Sequence, residues 1–481
     1  MNKLKILELI EDKVKKTPNN VCIFDGKKNI SYIEFWKECI SFSNTIISHG
    51  TKPIVAIIES RSCFDYVAMI GTLFAGGTYI PINSKTPQNK IKEIIHITDS
   101  NFIVNENHYI KLKPKKNFKV INYANIIKSN NLILKNKHNL KNAYIIFTSG
   151  TTGKPKGVKI SKESLTHYVI WICLYIKLKE NINCSQIPSI GFDLSVADIY
   201  LSLCSGGKLI IADNQLNYIF PGRFIKENNI NHLTCTPTLI NLISNSKQLN
   251  KKYLKSLNTI FFCGEPLHVK QIEKIFKANS NINIINSYGP TEATVSMTSI
   301  ILTKKNYTNF NHKYISLGKT IKNMNISFFE NNKMNNLKGE ILISGPQLSS
   351  GYLKDKNNDK KKYITMKGVR YYFTGDFGYR DGSNYYFDKR EDNQVKINGY
   401  RIELEEINNI FRKLGYTNVY TLVVDRYLTT YLESKKNNIK IIRDKLSKHI
   451  EKYKIPDRII TIKNFPINKN GKIDYKKILK K

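Results

Sequence analysis

The chain is 481 residues long, enough at roughly 150 residues per domain for about three domains or subdomains. Hydrophobic residues make up 41% and charged residues 24%, a globular balance that excludes a disordered or collagen-like chain. Lysine and arginine outnumber aspartate and glutamate 76 to 38, a net charge of +38, which taken alone points to nucleic acid or another anionic partner. The lysines are spread over the whole length among many Asn and Ile, with no basic arm, stripe or tail. A general drift in composition therefore accounts for the charge at least as well.

In chain order, MNKLKILELIEDKVKK has apolar residues at helical spacing and neither the apolar run nor the cleavage site of an export signal. A strand, PIVAIIES (53–60), precedes a helix, FDYVAMIGTLFA (64–75), and a second strand, TYIPI (78–82). Residues 66–84 approach membrane-span length, but Gly76, Gly77 and Pro81 divide them, so they read as buried core. Further strands are NFIVNE (101–106), NAYIIFTSG (142–150), KLIIAD (208–213) and NTIFFCGE (258–265), the last followed by the helix HVKQIEKIFKA (268–278). Alternation of this kind predicts an α/β fold of βαβ units on largely parallel sheets. From about 310 to 390, close-set strands separated by Gly, Asn and Asp predict an antiparallel meander or small β-barrel-like part. Beyond Asp392, strand and helix signals predict a small α+β unit. The eight cysteines show no CxxC pair and no zinc spacing, and most lie in apolar surroundings, so a reducing, cytoplasmic location without metal cage or disulfides is expected.

The most informative segment is AYIIFTSGTTGKPKGVKIS, residues 143–161. A strand opens into Thr148, Ser149, Gly150, Thr151, Thr152, Gly153, Lys154, Pro155, Lys156 and Gly157, where glycines allow close backbone approach and hydroxyls, N–H groups and lysines offer donors to phosphate. Pro155 after Lys154 departs from the P-loop pattern, which requires Ser or Thr there. This string resembles the core signature of the adenylate-forming superfamily. Seven further segments match that family in order: LFAGGTYIPIN (73–83), GFDLSVADIY (191–200), NSYGPTEATV (286–295), GEILISGPQLSSGYL (339–353), YFTGDFGYR (372–380), KREDNQVKINGYRIELEEI (389–407) and FPINKNGKIDY (465–475).

The resemblance implies a reaction in which a carboxylate attacks the α-phosphate of ATP and expels pyrophosphate, followed by transfer of the acyl group to a thiol. By resemblance the 148–157 loop holds the β- and γ-phosphates, and Thr291 and Glu292 hold the α-phosphate and Mg²⁺. Tyr288 stacks on adenine, Asp376 accepts from the ribose hydroxyls, and Arg390 reaches the ribose or phosphates. Lys472 takes the place of the catalytic lysine that bridges carboxylate and α-phosphate. Asp392 takes the hinge position, dividing a nucleotide-binding region, 1–391, from a mobile subdomain, 392–481, whose rotation would withdraw Lys472 and bring Lys396 to Arg401 over the site. Lys389 stands where relatives usually place Gly, a departure in the loop before the hinge.

Asp193 matches the family position that pairs with a substrate α-ammonium, which favours an amino acid over a plain fatty acid. Leu194, Ala197, Thr238, Phe261, Cys263, Ser287, Val295 and Ser296 match the rest of the pocket wall. The wording of several motifs, with Cys263, looks most like the D-alanine:D-alanyl carrier protein ligases. That resemblance implies D-alanine as substrate and a separate phosphopantetheinylated carrier as acceptor, with no nucleic acid and no membrane insertion. The alternatives are a free-standing adenylation enzyme for another small amino acid and, from a different class, a silent basic binding protein.

Overall fold

Strands covered on both faces have no solvent side to mark with polar residues, and the apolar runs read from the sequence are of this kind. In the computed structural model, which describes residues 4–106, 118–128, 138–148, 155–178, 182–391, 394–397, 400–416, 418–425, 427–434, 438–463, 465–466 and 478, they build parallel sheets. The chain forms two units: Met1–Ser84, Thr98–Ile146 and Gly157–Glu391 make the first, and Lys85–Ile97, Phe147–Lys156 and Asp392–Lys481 the second.

The first unit carries a nine-stranded sheet in which Val21–Phe24, Lys208–Ile211, Asn183–Gln186, His232–Cys235, Thr259–Phe262 and Asn283–Tyr288 run parallel. Antiparallel partners, Asn29–Ser31 and Thr298–Leu302, flank that parallel set. A second sheet is built on Lys119–Ile121, Phe102–Val104, Ile54–Ile58 and Thr78–Ile82, also parallel. Residues 66–84 are the buried helix Cys63–Phe74 and the buried strand Thr78–Ile82. Gly76 and Gly77 join them because a Cβ at either would meet backbone, the His138 carbonyl at 2.5 Å and the Pro53 carbonyl at 2.3 Å. Among the described residues no helix is long and apolar enough to cross a membrane.

The close-set strands after 310 form an antiparallel sheet of Asn325–Glu330, Lys333–Asn335, Lys338–Ser344, Tyr363–Met366, Val369–Asp381 and Asn384–Arg390. It stays open: among the described residues no pairing closes it into a barrel. All eight cysteines are free, and all but Cys173 are buried.

The second unit contains the hairpin Gln394–Ile397 with Tyr400–Glu403 and a three-stranded sheet of Val419–Val424, Tyr427–Glu433 and Arg458–Ile462. A unit boundary falls between Glu391 and Asp392, yet 85–97 and 147–156, which the sequence division puts in the N-terminal region, belong to this unit. The physical tie of 85–97 is a buried square of charge. Lys90 pairs with Glu406 and Glu451 at 3.0 and 2.9 Å, and Lys454 pairs with the same two carboxylates at 2.8 and 3.0 Å.

Candidate active site

In open α/β sheets ligands meet the carboxyl ends of parallel strands. Cys235, Phe262 and Asn286 are in register on three adjacent strands. The residues that follow them, Thr238, Cys263 and the run Ser287 to Glu292, therefore gather along one edge of the sheet. Along Thr259–Phe262 the side chains alternate, so Phe261 joins the core that holds Cys263, Ala197 and Val295, while Ile260 and Phe262 join another. Leu194 packs against the former core. Asp193 sits half-buried at the start of the helix Leu194–Ser205, and its carboxylate makes no cap to that helix.

Asp376 and Arg390 are cross-strand partners on Val369–Asp381 and Asn384–Arg390. That register lets the Arg390 guanidinium donate to Asp376 Oδ1 at 2.7 Å, while the Tyr288 hydroxyl donates to Oδ2 at 2.8 Å. Asp376 is only 4% exposed. Burial, with the Asp376 charge behind it, pushes the Tyr288 phenol well above its usual range. Both carboxylate oxygens are thus already engaged, a feature absent from the sequence expectation, so a ribose would share or displace these donors.

Glu292 lies in the one-turn helix Thr291–Ala293 and is 1% exposed. Its Oε1 accepts from the Tyr352 hydroxyl at 2.8 Å, and Tyr372 lies 3.4 Å from that same hydroxyl. The Glu292 carbonyl accepts from Ser349 N–H at 2.8 Å. Sequence reasoning did not assign Tyr352, although it lies within the quoted GYL motif. Its segment is fastened to the chain leaving the glycine-rich string: Leu353 N–H donates to the Gly157 carbonyl and Lys159 N–H to the Gly351 carbonyl. Among the described residues no group of three or more His, Cys, Asp or Glu is placed to hold a metal. A lone carboxylate suits Mg²⁺, which keeps water and takes substrate phosphates as its other ligands.

The turn after Glu292 is strained: Thr294 and Val295, both β-branched, have φ of +55° and +71°, and such outliers cluster at ligand sites. The Thr294 hydroxyl holds it by donating to the Gln347 carbonyl at 2.7 Å. Gly289 is required beneath it, since a Cβ there would come within 2.5 Å of Ser296 Cα. Cys263 Sγ lies 3.6 Å from the Val295 carbonyl. Thr238 is not an open polar wall, because its N–H and hydroxyl both donate to Glu265 Oε2, at 2.9 and 2.7 Å. Ser287 likewise donates to the Thr298 carbonyl. Thr148 ends the strand Asn142–Thr148 and Lys156 opens Lys156–Ser161. Ser149, Gly150, Thr151, Thr152, Gly153, Lys154, Asp392 and Lys472 lie outside the described residues.

The family model for the AMP-binding enzyme matches residues 10–353. The chain belongs to the AMP-binding enzyme family. A D-alanine--D-alanyl carrier protein ligase of Listeria innocua is 29% identical over 505 residues, covering 98% of each chain. Bacitracin synthase 2 of Bacillus licheniformis is 29% identical over 497 residues, which are 97% of this chain and 18% of that protein. The adenylation domain AlmE of Vibrio cholerae, solved with glycyl-adenosine-5'-phosphate, superimposes with a TM-score of 0.86 at 24% identity over 100% of this chain and 98% of that one. This last likeness establishes the fold of an adenylation domain, with large N-terminal sheets and a smaller C-terminal part.

Proposed function

We propose that this AMP-binding enzyme activates D-alanine with ATP and loads it onto the phosphopantetheine thiol of a separate carrier protein. An oxygen of the amino-acid carboxylate would attack the α-phosphorus as pyrophosphate leaves; the carrier thiol would then attack the acyl carbon as AMP leaves. The observation that carries the reading is the joining of Tyr288, at the end of a parallel strand, to Asp376 and Arg390 of the antiparallel sheet through one buried carboxylate, with Glu292 four residues beyond Tyr288. Full-length similarity to a ligase of that name supports the choice of substrate and acceptor. Mg²⁺ bound by Glu292 and the phosphates would offset charge as the two anions meet. Asp193 would hold the α-ammonium, and Cys263 with Val295 would bound the small side chain.

The assay is ATP–pyrophosphate exchange over a panel of D- and L-amino acids, with D-alanine expected to give the highest rate. Exchange with acetate or a fatty acid and with no amino acid would overturn the reading. We further infer that residues 392–481 alternate between the half-reactions about Asp392. Lys472→Ala should then lose adenylate formation by about 10²-fold or more while still loading a carrier from prepared aminoacyl adenylate, and Asp392→Pro should do the reverse. Equal losses in both steps for both variants would exclude alternation.

A further inference from the structure

Asp193 follows closely on the strand Asn183–Gln186, and the segment between them is clamped from the other parallel sheet. Glu59 and Arg61 stand just past the carboxyl end of the strand Ile54–Ile58. The Glu59 carboxylate is only 4% exposed. It accepts from the Ser189 hydroxyl at 2.6 Å, from the Ile190 N–H at 3.1 Å and from Arg61 Nε at 2.8 Å. The Arg61 guanidinium also donates to Gln186 Oε1 at 2.9 Å and to the Ile187 carbonyl at 3.2 Å. Asp65 holds the arginine in place, its carboxyl accepting from the Ser60 and Arg61 N–H groups, each at 2.9 Å.

The clamp reaches Asp193 through short local bonds. The Ser189 hydroxyl accepts from the Gly191 N–H at 3.2 Å, and the Ser189 carbonyl from the Phe192 N–H at 2.9 Å. The Phe192 carbonyl then accepts from the Ser195 hydroxyl at 2.7 Å, across Asp193. Gly191 lies hard against the chain leaving the strand Thr78–Ile82, since a Cβ there would come within 2.7 Å of the Asn83 backbone nitrogen.

Joining two buried segments requires no charge, because apolar side chains of similar volume join them as stably or more so. Arg61 also holds its backbone in the left-handed region, at φ +61°, a further cost that persists where function asks for it. Directed bonds to a carboxylate and a guanidinium fix where a segment lies, which apolar packing does less sharply. A carboxylate that must meet an ammonium has that need.

Resting on the proposed function, we propose that Glu59 and Arg61 are positioning residues for amino-acid recognition, holding the 186–191 segment so that the Asp193 carboxylate meets the substrate α-ammonium. The nucleotide half is held by a separate set of bonds, from Tyr288 and Arg390 to Asp376, so the two halves respond differently when the clamp is loosened.

The test measures the affinities of AMP and of D-alanyl sulfamoyl adenosine by calorimetry in the wild type, Glu59→Gln, Ser189→Ala, Asp193→Ala and the double variant Glu59→Gln/Asp193→Ala. Glu59→Gln should weaken the D-alanyl analogue about tenfold or more while AMP stays within about twofold. In ATP–pyrophosphate exchange the KM for D-alanine should rise and the KM for ATP should not. Ser189→Ala removes one bond and spares the Glu59–Arg61 pair, so it should show the same selective loss, about threefold, even if Glu59→Gln fails to fold. In the Asp193→Ala background Glu59→Gln should cost no more than about twofold, because nothing remains to be positioned. Equal losses for both ligands, unchanged affinities in Glu59→Gln and Ser189→Ala, or full additivity with Asp193→Ala would each overturn the positioning role and leave the proposed function standing. A wild type that binds the D-alanyl analogue no better than AMP would overturn the proposed function itself.

Discussion

Asp376 is the acceptor shared by a guanidinium and a phenol, at 2.7 and 2.8 Å, so its removal should uncouple Tyr288 from the sheet as well as weaken nucleotide binding. Asp376→Ala leaves Arg390 and Tyr288, both largely buried, without that acceptor. Breaking a buried ion pair from one side costs about 3–5 kcal/mol. Tyr288→Phe removes one hydrogen bond to a charged acceptor and should cost about 1.5–3 kcal/mol. In the Asp376→Ala background the phenol has no such bond to lose, so adding Tyr288→Phe should cost almost nothing. The coupling in the double-mutant cycle should then be close to the whole Tyr288→Phe effect. Urea unfolding followed by tryptophan fluorescence can measure it, because the only two tryptophans, Trp36 and Trp171, lie in the same unit as both residues. Effects that add to within about 0.5 kcal/mol would refute the claim that one carboxylate holds both groups. In the exchange assay the same variant should raise the KM for ATP more than the KM for the amino acid, since neither partner of Asp376 is in the Asp193 half.

Glu292→Gln keeps an acceptor for Tyr352 but removes the charge, so exchange should fall by about 10²-fold with stability little changed, and chelation of Mg²⁺ should abolish wild-type exchange; full activity in either experiment would remove Glu292 from the nucleotide site. In the second unit, burial would raise the Glu451 carboxyl, but the charges of Lys454 and Lys90 outweigh it and bring it down from 4.5 to about 2. The folded form therefore binds its proton less readily than the unfolded form. The stabilisation is complete above about pH 4.5 and is lost as pH falls toward 2, and it amounts to about 3 kcal/mol. Hydrogen exchange in the helix Leu404–Lys413, corrected for the intrinsic rate, should show this acid loss in the wild type and a flatter pH dependence in Glu451→Gln; identical profiles would refute it.

The elements legible in the sequence are those whose cause is local. The run TYIPI is buried at every position, and a strand covered on both faces must read that way. The antiparallel region was legible from its spacing of turns, but the choice between open meander and barrel was not, because closure depends on which distant edges pair. The assignment of 85–97 was missed for a similar reason. Lys90 looks like any other lysine of a basic chain until Glu406 and Glu451, more than three hundred residues away, are brought to it.

The site divides along the same line. Asp376 and Glu292 were expected at the site from the family resemblance of YFTGD and GPTEA, not from composition or spacing. What identity could not announce is which polar groups are already engaged. Thr238 and Ser287 are both small hydroxyl residues at expected pocket positions, yet one is bound to the Glu265 side chain and the other to the Thr298 carbonyl. A hydroxyl facing a ligand contributes specificity only if no protein acceptor competes for it, since an engaged hydroxyl must first lose a bond worth about as much as the one it gains. For the same reason Thr238→Ala should disturb the turn held by Glu265.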